Sequence, residues 1–355
     1  MNDEELEFFV SLIGRDTTSG ALAAQREAQD ACVEFLRSGG RELEVTSSDR
    51  TYPWTLVRTT APGDPVLFAS HIDTVPVGEE SDWSSPPRDA LITDGRLHGR
   101  GSVDMKAGLM ASLVALRRAA DKGLPAAALL TSDEEIGLKG ADAAATELGS
   151  LPVSLAVIGE PTANHVCYGH PGVSWIEVHA RGRAAHGSQP HEGENAIAAL
   201  SEGLISRLHE FPAGHDDYLG EDTINLGVIR GGSVPNIVPD RAVATLDVRT
   251  AAGSGPALAW LRGLDERLEV VQLLDIPPLE RRPAPAVLER FPTGSAMSGA
   301  TDAAMLQRIL GEAPIVVWGP GGTDQMHRVD ERVELSQIDE AIENYWAVTR
   351  ELGAS

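Results

Sequence analysis

The chain has 355 residues, 42% of them hydrophobic and 23% charged, which allows more than one domain of about 150 residues and excludes a disordered or low-complexity polymer. Its 53 acidic residues against 29 basic ones give a formal net charge of -24, a field that repels nucleic-acid backbones and anionic membrane surfaces, so neither partner is expected. Cys32 and Cys167 are the only cysteines, too few for a disulfide framework; with an acidic N-terminus and no apolar run near 20 residues, a soluble cytoplasmic protein is expected.

Three short apolar runs, at residues 65–70, 126–132 and 155–160, have the length and continuity of strands covered on both faces. Helical spacing at 106–120 and 137–148 places a helix between each pair, the alternation of an α/β sheet. From residue 173 the pattern becomes that of a strand open to water on one face. It is followed by helical stretches at 195–209 and 257–267 and by strands at 223–229, 242–249 and 268–274. This order predicts a small α+β domain at 171–282 inserted into a discontinuous α/β domain made of 1–170 and 283–355. The proline-rich segment 277–287 is the return linker, after which 313–320 supplies another strand and 336–352 a terminal helix.

Ligands of open α/β sheets bind outside the carboxyl ends of the strands, and the polar residues of this chain accumulate there. His71 and Asp73 follow the first run, Glu134 and Glu135 the second, and Glu160 closes the third. Asp104 stands just before a helix, and His327 follows the late strand. Singly, each has an ordinary explanation: a turn imidazole, a helix N-cap, a solvated acid. Together, so many carboxylates with so few cations would repel one another, and divalent metal relieves that repulsion.

Two ions are better supported than one. His71 and His327 each offer a nitrogen, Glu135 and Glu160 one carboxylate apiece, and Asp104 can bridge. Mixed nitrogen and oxygen donors favour zinc, with cobalt or manganese as alternatives. Adjacent Glu134 and Glu135 must point differently, which leaves Glu134 as general base, while Asp73 orients His71 through its other ring nitrogen.

Across nearly the whole chain, the segments SHIDTVPVG, DGRLHGRGSVDMKAGLMA, TSDEEIGLKGA, GEPT, AAHGSQPHEGENAI, GGSVPNIVPD, LDVRT and GPGGTDQMH resemble a known family. It is the two-metal aminoacylase and carboxypeptidase family (peptidase family M20) of the acetylornithine deacetylase and succinyl-diaminopimelate desuccinylase type. The resemblance implies a mainly parallel-sheet zinc-hydrolase catalytic domain with a smaller α+β lid that often serves dimerisation, hence a homodimer. It implies one ion on His71, Asp104 and Glu160, a second on Asp104, Glu135 and His327, and a cis peptide after Asp104.

The lid assignments also rest on the resemblance. His186, which on the residues alone was no better than His179 or His191, is implied to polarise the scissile carbonyl oxygen. Arg249 is implied to bind the substrate's carboxylate, with a surface ion pair as its ordinary alternative. Asn236 would line the same pocket or hold a turn. Gly319, Gly321 and Gly322 would form a backbone nest for that carboxylate, or only loosen a loop.

The activity so implied is metal-dependent hydrolysis of an amide, releasing an acetyl- or succinyl-type group from an amino acid. A dipeptidase or carboxypeptidase, or a hydrolase of an amino-group-carrier conjugate, would use the same centre. A catalytically inert binding module is the alternative of a different class, opposed by the intact Glu134 and metal-ligand set. The expected partner is a small N-acyl amino acid or dipeptide.

Overall fold

The computed structural model describes residues 1–354. The chain divides into two compact units: one formed by Met1–Gly169, Arg281–Met297 and the chain from Thr301 onward, the other by His170–Glu280 with Ser298–Ala300. In chain order the strands of the two main sheets are β1 (Leu43–Ser48), β2 (Trp54–Thr59), β3 (Val66–His71), β4 (Ala126–Thr131), β5 (Leu155–Ile158), β6 (Gly172–Arg181), β7 (Thr223–Gly231), β8 (Arg241–Thr250), β9 (Leu268–Ile276) and β10 (Ile315–Val317). The helices are α1 (Asp3–Ile13), α2 (Leu22–Arg37), α3 (Lys106–Lys122), α4 (Lys139–Leu148), α5 (Ala196–Gly203), α6 (Gly255–Leu264), α7 (Ala303–Leu306) and α8 (Leu335–Leu352).

The first unit is built on a six-stranded sheet in the order β1-β2-β4-β3-β5-β10. β3 runs parallel to β4 and β5, and β10 parallel to β5; β2 is antiparallel to both β1 and β4. β3, β4, β5 and β10 are buried along their whole lengths, as their unbroken apolar runs require. Because these four strands are neighbours and parallel, their carboxyl ends emerge side by side.

α3 packs on the sheet and against α8. Its glycine at 108 is what permits the approach: a Cβ there would lie 1.8 Å from the carbonyl oxygen of Gly159. α8 turns Tyr345 onto Phe68, ring centroids 5.0 Å apart, and the Tyr345 hydroxyl donates to the Trp318 carbonyl. This pins the chain leaving β10. A helix start was not evident at the N-terminus from periodicity alone. The structure supplies it through a capping box, in which Asn2 accepts from Glu5 N while the Glu5 side chain accepts from Asn2 N.

The second unit is a four-stranded antiparallel sheet, β7-β8-β6-β9, with α5 and α6 on one face. Ile176, Val178, Leu246 and Val248 meet Leu200 and Leu261 there, and the alternate residues of β6 and β8 face the other way. The predicted helix at 195–209 is shorter than its spacing implied. α5 ends at Gly203, and a 3-10 turn, Ile205–Glu210, follows, because Leu204 adopts φ -122, ψ -62 and breaks the register. Among the described residues, no helix is long and apolar enough to cross a membrane.

Candidate metal centre

His71 is the last residue of β3 and Asp73 lies in the turn beyond it. The chain after β4 is redirected at Asp133, which takes a left-handed φ of 49°, uncommon for a residue with a side chain. Its carboxylate repays that cost by accepting Gly20 N and Gln25 Nε2, each at 2.7 Å. The turn closes through Gly140 N donating to Ser132 O at 2.8 Å, and a Cβ at Gly140 would overlap Ser132. Glu134 and Glu135 are thereby presented beside His71, and Glu160 follows β5 by two residues.

The geometry brings five side chains into two groups that share one member. His71 Nε2 lies 3.3 Å from Asp104 Oδ1 and 3.5 Å from Glu160 Oε1. His327 Nε2 lies 3.2 Å from Asp104 Oδ2 and 2.9 Å from Glu135 Oε2. In each triad one donor atom per residue falls within 4.8 Å of the others. His71, Asp104 and Glu160 are buried, whereas the side chain of His327 is 50% exposed. The Asp104–Met105 peptide is cis.

These residues fit divalent metal on two observations. His71 Nε2, Asp104 Oδ2 and Glu135 Oε1 are buried without a hydrogen-bond partner, and buried polar atoms are rarely left so. The electrostatics give the second. Burial, then repulsion from acidic neighbours, drives the Glu160 carboxyl well above its ordinary pKa. Burial would depress His71, but the neighbouring carboxylates of Asp104 and Asp73 and the charge of Glu160 hold it well above its ordinary value. His327 is raised to about 10 by its contacts with Asp104 and then Glu135. The cluster demands positive charge, and divalent cations held by the two triads would satisfy that demand.

Asp73 has three further acceptor contacts. It takes Glu134 N at 3.0 Å, Glu135 N at 3.3 Å and the Ser19 hydroxyl at 2.9 Å. The His71 Nδ1 proton is directed chiefly at the Asp73 carbonyl oxygen, 3.1 Å away, with the carboxylate Oδ1 at 3.4 Å. Asp73 therefore fixes the tautomer of His71 mainly with its backbone and uses its side chain to hold the turn carrying both glutamates. Burial, followed by the charges of Glu160, Asp302 and Glu135, raises the Glu134 carboxyl well above its ordinary range, against an opposing pull from His71.

Sequence reasoning missed Glu331. This fully buried carboxylate accepts Val103 N at 2.8 Å, Gly101 N at 3.0 Å and Asp104 N at 3.2 Å, and pairs with Arg100 at 2.7 Å. It sits 227 residues from Asp104, and no spacing rule reveals such a partner. Asp302 was missed too: buried, it accepts from the Thr131 hydroxyl, and burial lifts its carboxyl to about 6. The only signal available was an acid just before a short apolar stretch.

The second unit holds the remaining candidates except Gly321. His186 Nδ1 contacts the Ser188 hydroxyl at 2.8 Å and accepts Ser188 N at 3.2 Å. Arg249 is clamped by Asp247, Nε to Oδ1 at 2.6 Å and Nη2 to Oδ2 at 2.9 Å. Asn236 is exposed, and its carbonyl accepts Gly187 N at 2.8 Å, tying its loop to that of His186. Gly321 lies in the first unit with φ +85°, and its N–H donates to Gln337 Oε1 at 3.0 Å, so that donor is already engaged.

Residues 67–351 match the family described as Peptidase family M20/M25/M40. The chain belongs to this family. A Staphylococcus epidermidis protein named probable succinyl-diaminopimelate desuccinylase is 33% identical over 341 residues, covering 80% of this chain and 84% of its own. A solved M20 family metallo-carboxypeptidase from Sulfolobus solfataricus superposes with a TM-score of 0.77 at 17% identity, covering 100% of both chains. A solved Bacillus subtilis protein described as a dinuclear metal binding peptidase from M20 family superposes with a TM-score of 0.73 at 14% identity, covering 99% of this chain and 98% of that one. The family membership and the two triads make this chain a metal-dependent hydrolase of amide or peptide bonds.

Proposed function

We propose that the chain removes an acyl group of the succinyl or acetyl type from the amino nitrogen of an amino acid. The observation that carries this reading is the pair of triads sharing Asp104, with Glu134 next in sequence to a ligand and not itself a member. The relative named as a probable succinyl-diaminopimelate desuccinylase supports the acyl type. The metallo-carboxypeptidase with the same fold keeps a peptidase as the second reading.

His71, Asp104 and Glu160 would hold one ion and Asp104, Glu135 and His327 the other; zinc suits the donors, with cobalt or manganese as alternatives. Ions so held supply Lewis-acid polarisation of the scissile carbonyl and a water of lowered pKa. Glu134 takes the proton of the attacking water and returns it to the departing nitrogen, so that the amine leaves neutral. Asp73 keeps that carboxylate aimed by accepting the backbone N–H groups on either side of Glu134.

We assign His186 as the donor to the developing oxyanion. Its Nδ1 accepts a backbone N–H, so the neutral ring carries its proton on Nε2, the tautomer a donor needs. Arg249 binds the free carboxylate: Asp247 occupies Nε and Nη2 and leaves Nη1 to a substrate. Asn236 supports the His186 loop. The second unit would act as lid and as the interface of a homodimer, a reading supported by the edge strand β7 with Val228 and Ile229 exposed. The two buried free thiols suit a cytoplasmic setting.

The test is release of primary amine from a panel of N-succinyl, N-acetyl and N-formyl amino acids and dipeptides, with zinc- or cobalt-loaded wild type beside Glu134→Ala. Turnover of an acyl amino acid that the variant loses supports the proposal. Turnover confined to dipeptides moves the assignment to a peptidase, and none at all with metal bound rejects it.

A further inference from the structure

In a chain of net charge -24, one hollow of about 350 Å³ in the second unit is lined by Arg181, Arg230, Arg241 and His179 and by no acidic residue. Strand register explains how they meet. Arg241 stands directly opposite Arg181 on β8 and β6. Arg230 of β7 is opposite Val243, and Val243 is opposite His179. Cross-strand partners share a face, and Val243 and Arg241, two apart, share it too. All four basic groups therefore converge on the sheet face opposite to α5 and α6.

Like charges placed directly opposite each other on a sheet are destabilising. Local acids offset this only in part. Glu177 pairs with His179 at 2.8 Å and Glu269 with Arg181 at 3.0 Å, whereas Arg230 and Arg241 make no ion pair among the described residues. Gly231 and Gly232 line the same hollow and present backbone without side chains over it. Forked donors around an open bowl match an oxyanion, which guanidinium groups bind in pairs of hydrogen bonds.

We propose that this hollow is an anion site for a small molecule carrying a phosphate or carboxylate group, separate from the position assigned to the substrate carboxylate. Arg241 and Arg249 lie eight residues apart on β8, about 26 Å along an extended strand. One molecule the size of an amino-acid derivative does not reach both. The site gives the second unit a ligand of its own.

Calorimetric titration of inorganic phosphate, and separately malonate, into the metal-loaded protein tests this, comparing wild type with Arg230→Ser/Arg241→Ser and with Arg249→Ser. The expected result is a salt-sensitive binding component, distinct from anion binding at Arg249 and the metal centre, that the double variant weakens at least about tenfold, as loss of paired charge-assisted hydrogen bonds should, and that Arg249→Ser spares. Phosphate binding without malonate binding assigns a phosphoryl ligand, and the reverse a carboxylate. The absence of any binding component that the double variant weakens and Arg249→Ser spares, or no binding of either anion, overturns the proposal. Should the double variant fail to fold, Arg241→Lys replaces it: the charge stays, the fork is lost, and phosphate affinity is still expected to fall.

Discussion

Glu331 accepts the backbone N–H of Asp104 at 3.2 Å, so the one carboxylate common to both triads hangs from another carboxylate near the far end of the chain. Glu331→Ala would leave Arg100 and the N–H groups of Gly101, Val103 and Asp104 without their acceptor in a closed site. Removing one partner of a buried pair costs about 3–5 kcal/mol. Urea denaturation should show a loss of that order, and bound metal should fall with it. Unchanged stability would mean that the loop does not depend on this acceptor.

Because Asp104 belongs to both triads, its substitution should differ in kind from that of the other ligands. Asp104→Ala is expected to lower tightly bound zinc from about two equivalents to none, whereas Glu160→Ala or His327→Ala should each retain one. Elemental analysis after gel filtration reads this directly. Retention of both ions by Asp104→Ala would remove the shared-ligand reading.

Asp73→Asn keeps the size of the side chain but replaces one acceptor oxygen with an NH₂ group facing the N–H donors of Glu134 and Glu135. Outer partners of metal ligands typically govern affinity by about 10- to 100-fold. A loss in that range, with kcat reduced as Glu134 drifts, is expected from metal titration and steady-state kinetics.

Gly108→Ala should destabilise although alanine favours helix by about 1 kcal/mol over glycine. The added Cβ would overlap the Gly159 carbonyl oxygen, and the separation can be restored only by moving α3 or the segment leading to Glu160. A lower melting temperature together with weaker metal retention is the expected pair of results.

Burial depresses the His170 imidazole to about 4, against about 6.5 in an unfolded chain. Between these values the unfolded state binds more protons, so stability falls as pH drops through that window and levels off below pH 4. The contribution lost is up to about 3 kcal/mol. Urea midpoints measured from pH 7 to 4 should fall less steeply in His170→Gln than in wild type.

The parallel strands were legible in the sequence because strands covered on both faces need unbroken apolar runs, and polar residues can begin only where that cover ends. The position of His71 after 66–70, or of Glu160 after 155–158, follows from that necessity. Residues 1–59 were not legible in the same way. β1 is largely open to solvent, and the start of α1 depends on Asn2 and Glu5 rather than on an apolar stripe. Glu331 was invisible because its role is to accept backbone N–H groups more than two hundred residues away, which any carboxylate could do. The arginines of the second unit become a group only through the register of β6, β7 and β8.

The two triads are enclosed unequally: every side chain of one is at most 5% exposed, while that of His327 in the other is 50% exposed. That asymmetry orders metal exchange in time. A cation held beside His327 would stand nearer to water, whereas one held by His71, Asp104 and Glu160 would be enclosed by side chains almost wholly out of solvent. Protein carrying a single equivalent should therefore hold it on the His71 side, and isotope exchange should resolve a fast and a slow population of equal size.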